Sequence, residues 1–259
     1  MLHNSLTPLR RYTPLLRELV VRDLKLKYRR SFLGYVWSLL NPLLMMAVMT
    51  LVFSYMFRFQ IPNYPLYLIC GQTLWAFFNE STTLAMYSVI GNGALIRKVY
   101  IPKYIFPISR VLSSFVTMSF SLAAIMIVML VTGVPFHFVQ LLIPVPLFFL
   151  LLFSTGVGMV LSAVAVYFRD IIHLYGVLTM AWMYLTPIFY PLESLPEEIA
   201  AVITYNPMHH YILFFRSLIL DAALPEPGVW LSCIVYSAIA MLIGLWTFRK
   251  LQRNFILNV

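Results

Sequence analysis

Apolar residues run along this chain in stretches too long to be the core of a soluble domain. Crossing about 30 Å of hydrocarbon takes roughly 20 mostly apolar residues in a helix. Six stretches are long enough: Phe32 to Phe57, Pro65 to Ile90, Tyr104 to Thr132, Leu141 to Tyr167, Ile171 to Tyr190 and Val229 to Phe248. They read as helices, because an open sheet leaves its backbone groups unsatisfied in lipid and no alternating barrel pattern is present. The pattern predicts an all-α integral membrane protein, with six transmembrane helices forming one domain over residues 1–259.

Two other segments carry structure of their own. Thr13 is placed to cap a helix with Pro14 at its first position, and Leu15, Leu16, Leu19, Val20 and Leu24 then share one face. Arg17, Arg22, Asp23 and Lys25 occupy much of the other face, so residues 13–30 read as an amphipathic helix in the membrane interface. A short surface helix that only anchors is the alternative. Between the last two spans, residues 192–228 are broken by Pro196, Pro207, Pro225 and Pro227. Within them Met208 to Leu220 is too apolar for an open loop and too short to cross the bilayer. It predicts a re-entrant outer helix, begun by Asn206 as cap and Pro207 in the first turn, that covers the exit of a pathway. An apolar helix resting on the outer surface is the competing reading.

Composition and charge set the solvent and the orientation. Hydrophobic residues make up 61% of the chain and charged residues 10%, too few for the shell of a water-soluble protein. The net charge is +9, and fifteen of the 18 Lys+Arg fall in segments on one side of the predicted bundle: before the first span, between the second and third, between the fourth and fifth, and after the last. Arg58 and Arg216 fall on the other side, and Arg110 sits just inside the third span. Both termini are therefore expected in the cytoplasm. Cations at the ends of apolar runs suit an anionic lipid surface, whereas nucleic acid asks for a basic face on a soluble domain. Cys70 and Cys233 lie apart inside apolar runs and supply neither a disulfide framework nor a metal site. The first apolar stretch is too long for a removable signal peptide.

Catalytic chemistry is not legible. There is no G-x-x-x-x-G-K-[ST] loop, so ATP phosphates have no cradle in this polypeptide. His209 and His210 are adjacent and point to different helix faces, which disfavours a shared metal, and Asp170 with His173 reads as a structural pair at a span boundary. Glu80 is the one carboxylate well inside a span, with Asn79 beside it and Gln72 and Thr73 two turns earlier. An ionisable group there is costly unless it faces protein or water, so that face of the second helix points inward, either as a structural hydrogen-bonding site or as a polar constriction in a conduit. Trp75, Phe78, Trp182 and Tyr184 lie away from the span ends and could stack on sugar faces as channel lining, although core packing explains such rings equally well. Ser154, Gly158 and Ser162 form a small-residue stripe in the fourth span, suited to close helix packing within one subunit or at a dimer seam.

At Arg22 to Pro42 the chain reads RDLKLKYRRSFLGYVWSLLNP, and here it resembles the ATP-binding-cassette permeases that export O-antigen, capsule and teichoic-acid polymers. LIRKVYIPKYIFPISRV (Leu95 to Val111) is similar to that family's loop between the second and third spans. YFRDI (Tyr167 to Ile171), YLTPIFYPLESLPE (Tyr184 to Glu197) and NPMHHYILFFRSLIL (Asn206 to Leu220) are similar to its later loop and outer elements. The likeness covers nearly the whole chain.

The resemblance implies a homodimer in the bacterial inner membrane bound to two copies of a separate ATPase subunit, which holds the ATP and Mg; this chain would carry no cofactor or metal of its own. It implies a coupling helix at residues 91–104, with Arg97, Lys98, Tyr100 and Lys103 as contacts. It implies a polyprenyl-diphosphate-linked polysaccharide as cargo, its head group received near Arg29, Arg30, Tyr35 and Trp37. Trp75, Phe78, Glu80, Trp182 and Tyr184 would line the channel, and Asn206, His209, His210 and Phe214 would form the outer gate. No Lys or Arg lies at mid-membrane, which favours a neutral glycan over a polyanion. Teichoic acid or another lipid-linked polymer remains an alternative cargo. A membrane enzyme acting on lipid-linked sugars is a different alternative, with only Glu193, Glu197 and Glu198 to serve it, and a proton-coupled carrier is disfavoured by the isolation of Glu80.

Overall fold

Helices account for nearly all of the computed structural model, which describes residues 6–29, 33–56, 61–99 and 101–255. In chain order they are α1 (Leu6–Tyr28), α2 (Trp37–Met56), α3 (Tyr64–Gly91), α4 (Gly93–Lys98), α5 (Ile105–Thr132), α6 (Pro144–Tyr167), α7 (Ile171–Tyr184), α8 (Glu197–Ile203), α9 (Pro207–Ile219) and α10 (Pro227–Leu251). Among the described residues, four helical stretches are long and apolar enough to cross a membrane, corresponding to α2, α5, α6 and α10. α3 has 28 residues, ample length, but its apolarity is diluted by Gln72, Thr73, Asn79 and Glu80. Those polar groups are tolerated because α3 is the hub, packed against α2, α5, α6 and α9.

Two expectations differ from the structure. α1 starts at Leu6 and runs through Pro14, so Thr13 is not its cap. α7 stops at Tyr184 rather than Tyr190; its 14 residues span only roughly 21 Å. The chain before Pro191 is held in bends, for reasons given below.

Close packing on α6 uses glycine where no side chain fits. A Cβ on Gly156 would overlap the backbone of Ala240 and Met241 on α10, and one on Gly244 would overlap the backbone of Gly156. On another face of α6, a Cβ on Gly158 would come 2.8 Å from that of Ala85 on α3. Ser154, Gly158 and Ser162 are all buried, so the small-residue stripe is used inside one subunit.

The cation-bearing segments share one end of the bundle. Leu19 of α1, Val89 of α3, Ile96 of α4, Phe106 of α5, Val166 of α6 and Phe255 after α10 form a single buried cluster there. At the opposite end, α9 begins where the sequence places it: the Asn206 Oδ1 accepts from the Met208 N–H at 3.0 Å. It carries Arg216, which is 7% exposed and pairs with no carboxylate among the described residues. Its guanidinium instead donates to three backbone carbonyls: Nη1 to Pro187 at 2.7 Å, Nη2 to Ile188 at 3.0 Å, and Nε and Nη2 to Tyr67 at 3.1 and 3.0 Å. The Tyr67 ring lies beneath it, 3.4 Å from centroid to Cζ. Tyr64 donates to the Phe189 carbonyl at 2.8 Å and Tyr67 to that of Tyr190 at 2.9 Å. Gly71 leaves the room, since a Cβ there would sit 2.7 Å from the Arg216 Nη2.

Replacing Arg216 by Met strands those carbonyls and is expected to destabilise the purified chain by about 3 kcal/mol or more, read as a lowered thermal unfolding midpoint in detergent. Lys at 216 cannot serve three divergent acceptors and should recover only part of the loss. Gly156→Ala and Gly244→Ala each push α10 off α6, with an expected cost of about 1–3 kcal/mol in the same measurement. Gly176→Ala, which meets nothing within 4 Å, should be neutral.

Candidate functional site

Polar side chains of α2, α3 and α5 converge on one cavity of about 620 Å³. α3 contributes Gln72, Thr73, Trp75, Ala76, Phe77 and Glu80; α5 contributes Ser114, Thr117, Met118 and Ser121. α2 closes another wall with Trp37, Ser38, Asn41, Pro42, Met45 and Met49, while Ile188 and Phe189 of the bent segment cap the far end. On α3 the lining at 72, 73, 76, 77 and 80 has the spacing of one helical face, with Trp75 reaching in from beside it, and on α5 the lining at 114, 117, 118 and 121 is likewise one face.

The ends of the cavity are defined by charge. Lys27 of α1 reaches it and donates to the Glu80 carboxylate at 2.6 Å, and the Ser114 hydroxyl donates to the same oxygen at 3.3 Å. Four residues earlier on α1, buried Asp23 accepts from Arg22 at 3.1 Å and lies 3.1 Å from Arg110 Nη1, the latter a charge contact without hydrogen-bond alignment. Leu19, Asp23 and Lys27 thus meet the Phe106 cluster, Arg110 and the Ser114 site in order, and α1 runs beside α5 in the same direction. Arg110 is used for docking α1. At the opposite end sits the Arg216 clasp, whose acceptors Pro187 and Ile188 adjoin the cavity cap.

Pro42 shapes the α2 wall. Proline has no N–H for the carbonyl four residues earlier, which is that of Ser38. The Ser121 hydroxyl of α5 donates to that carbonyl at 3.0 Å, so the gap in the α2 ladder is filled from the neighbouring helix. Two groups at the cavity have no such partner. The Thr73 Oγ1 and Gln72 Oε1 are buried and make no hydrogen bond among the described residues, although Thr73 is only 4% exposed. Each unpaired polar atom costs free energy unless something else occupies the space beside it.

The residues singled out in the sequence fall as follows. Trp75, Glu80 and Trp37 line the cavity. Phe78 has no exposed surface and packs between Trp75, Phe153 and Trp182. Trp182 donates its indole N–H to the Asn206 Oδ1 at 2.8 Å, and Tyr184 is well exposed at the end of α7. Asn206 also donates to the Thr186 hydroxyl at 2.9 Å, so one side chain joins α7, the bend and α9. His209 and Phe214 are buried, Phe214 with its ring 4.4 Å from that of Trp230, and His210 Nε2 is 2.8 Å from the Thr204 carbonyl. Tyr35 is exposed beside Phe120, and Arg29 is exposed. Arg97 and Lys98 are exposed at the end of α4. Lys103 donates to the Gln252 carbonyl at 2.7 Å and lies over the Phe255 ring, and burial lowers its pKa from the ordinary lysine value. Arg30 and Tyr100 lie outside the described residues.

Lys27, Arg216 and the α5 hydroxyls were not among the sequence candidates. Ser114, Thr117 and Ser121 recur three and four residues apart and so carried a readable signal. Lys27 and Glu80 are 53 residues apart and carried none.

The profile of the ABC-2 type transporter family matches residues 14–220. An O-antigen export system permease protein of Klebsiella pneumoniae is 32% identical over 237 residues, 90% of each chain. A protein of the same description from Myxococcus xanthus is 29% identical over 246 residues, 94% of this chain and 95% of its own. A capsule polysaccharide export inner-membrane protein of Neisseria meningitidis is 23% identical over 210 residues, 77% of this chain and 76% of its own. With a family match over most of its length and a relative of this identity end to end, the chain belongs to the ABC-2 type transporter family.

Proposed function

We propose that this chain is the membrane subunit of an ATP-driven exporter that moves a lipid-linked polysaccharide of O-antigen type across the inner membrane. The observation that carries this is the cavity: hydroxyl and amide groups from three helices, two tryptophans, and a buried Thr73 hydroxyl without a protein partner, inside an otherwise apolar bundle. Sugars offer both hydroxyls for such groups and flat carbon faces for Trp37 and Trp75. The relatives export O-antigen and capsule polysaccharide, by their names, which supports the same class of cargo here.

The remaining assignments follow from that reading. Two copies of the chain enclose the path, each bound to one ATPase subunit, and both termini are cytoplasmic at the end where the cation-bearing segments gather. α4, with Lys98 exposed at its end and Val99 exposed just beyond it, receives the ATPase motion. The extra support of Lys103 on the Gln252 carbonyl ties that coupling segment to the end of α10. Trp37 and Lys27 stand where the lipid head group is received, and α9 with Asn206 governs the outer side.

ATP-dependent movement of the lipid-linked glycan into inverted membrane vesicles, with the ATPase subunit supplied, tests this directly. ATP hydrolysis by the present chain alone would overturn it. Gln72→Leu with Thr73→Val removes groups that hold nothing within the protein, so the thermal midpoint should stay level or rise while transport falls about tenfold. Lys98→Glu with Val99→Asp should lower transport by a similar factor, with the chain's membrane level unchanged and its ATPase partner more weakly retained on purification.

A further inference from the structure

α10 has two faces, and only one is explained by the bundle. Cys233, Ala240 and Gly244 are buried, the last two against Gly156 of α6. The opposite face runs Leu231, Val235, Ile239, Leu242 and Trp246, all exposed, at steps of three or four residues. From Leu231 to Trp246 this stripe is roughly 22 Å long, close to the length of one acyl chain. It continues without a break into Arg249 and Arg253 on the same face, with Lys250 beside them. There the side chains at the end of the helix frame an open surface hollow of about 490 Å³ lined by Leu242, Leu245, Trp246, Arg249, Lys250 and Arg253. No carboxylate lines it, and none of its three cations has a salt bridge among the described residues. The Lys250 ammonium lies 4.9 Å from the centre of the Trp246 ring, which orients it toward the pocket's aromatic wall.

We propose that this pocket binds one anionic phospholipid, its phosphate held by Arg249, Lys250 and Arg253 and an acyl chain laid along the stripe from Trp246 to Leu231. Charge complementarity selects the head group, because three unpaired cations meet a phosphate and its anionic substituent. The apolar half of the wall and the stripe above it select a lipid over free phosphate, and over a soluble acidic segment of a protein partner, since neither can cover a band at hydrocarbon depth. Arginine's planar fork suits a phosphate that approaches from one side. The site is separate from the cargo cavity, which no residue of α10 lines.

The test uses the full chain with its ATPase subunit in bilayers of defined composition, and reads quenching of Trp246 by dibrominated phosphatidylglycerol against dibrominated phosphatidylcholine. The Trp246→Phe protein supplies the background from the other tryptophans, and free inorganic phosphate is the head-group control. Trp246 quenching should favour phosphatidylglycerol, and the preference should fall roughly fivefold in Arg249→Gln and again in Arg253→Gln. Arg249→Lys should keep most of it, and so should Arg169→Gln, an exposed cation in another loop. Inorganic phosphate at millimolar levels should not displace the lipid. Equal quenching by both lipids would overturn the proposal. So would an equal loss of preference in Arg169→Gln, which would mean surface potential alone, or a Trp246 reached by neither lipid, which would mean that protein covers this face.

Discussion

Every backbone carbonyl at bilayer depth needs a donor, and in this protein one stretch cannot find its donors in a helix. After Tyr184 the chain leaves α7 and bends through Leu185 to Tyr190 before reaching Pro191. In lipid such irregular backbone is tolerated only where protein surrounds it. Arg216, Tyr64, Tyr67 and Asn206 supply that surround, donating to the carbonyls of Leu185, Pro187, Ile188, Phe189 and Tyr190. A buried guanidinium without a carboxylate is expensive, and the cost is offset because its donors fan out to carbonyls of two elements while its face rests on Tyr67. Arginine is fitted to this as lysine is not, having several fixed donors in one plane.

The clasp also sets the limits of the cavity. Ile188 and Phe189, fixed by it, form the cavity's outer cap, and Phe53 of α2 stacks on Phe189 at 5.4 Å. At the other limit, the Lys27 and Glu80 pair belongs to α1 and α3, so a helix that begins outside the bundle closes the inner limit. A polar chamber in an apolar protein is thus bounded by two charged contacts of different kinds. The outer one is buried and locked into backbone. The inner one joins side chains that are each 37% exposed, where solvent screens the attraction and the pair can part at small cost.

The length of the apolar runs carried most of the architecture, and the reasons are physical. Long apolar runs leave one folding option in lipid, so α2, α5, α6 and α10 stood out; the Asn206 and Pro207 pair marked the start of α9 because a cap and a proline both act within one turn. α7 was overread because Leu185 to Tyr190 is apolar enough to continue a helix; Pro187 is the local signal against that, having no N–H and disfavouring helix at Thr186, and the distant Tyr64, Tyr67 and Arg216 hold the bends that result. Arg216 itself was taken for an ordinary outer-side cation, since sequence does not show that Gly71 leaves a space for it. Of the cavity, Glu80, Gln72 and Thr73 were legible as one face of one helix, and Trp75 as a separate lining candidate. The α2 wall was not, and on α5 the recurrence of Ser114, Thr117 and Ser121 marks a polar face without showing which helices it meets.

The walls of the cavity differ in how firmly they are held, and that difference bears on how a polymer could pass. α6 and α10 meet backbone to backbone at Gly156 and Gly244, and α3 and α5 pack closely around them, so this half of the bundle cannot yield without losing its core. α2 is the opposite case: 6% of its span is buried, against 61% for α6. It touches α3 and α5 along one side, carries Pro42 within it, and is tied to α5 by the Ser121 hydroxyl at the Ser38 carbonyl. α7 is likewise short and thinly packed, with Val177, Met180 and Tyr184 exposed. Under the proposed function, widening of the path therefore falls on α2 and α7, which can shift as rods while the glycine-sealed half keeps its shape. The exposed apolar surface of these two helices must be covered by lipid or by a second copy, and either cover slides more readily than a close-packed core.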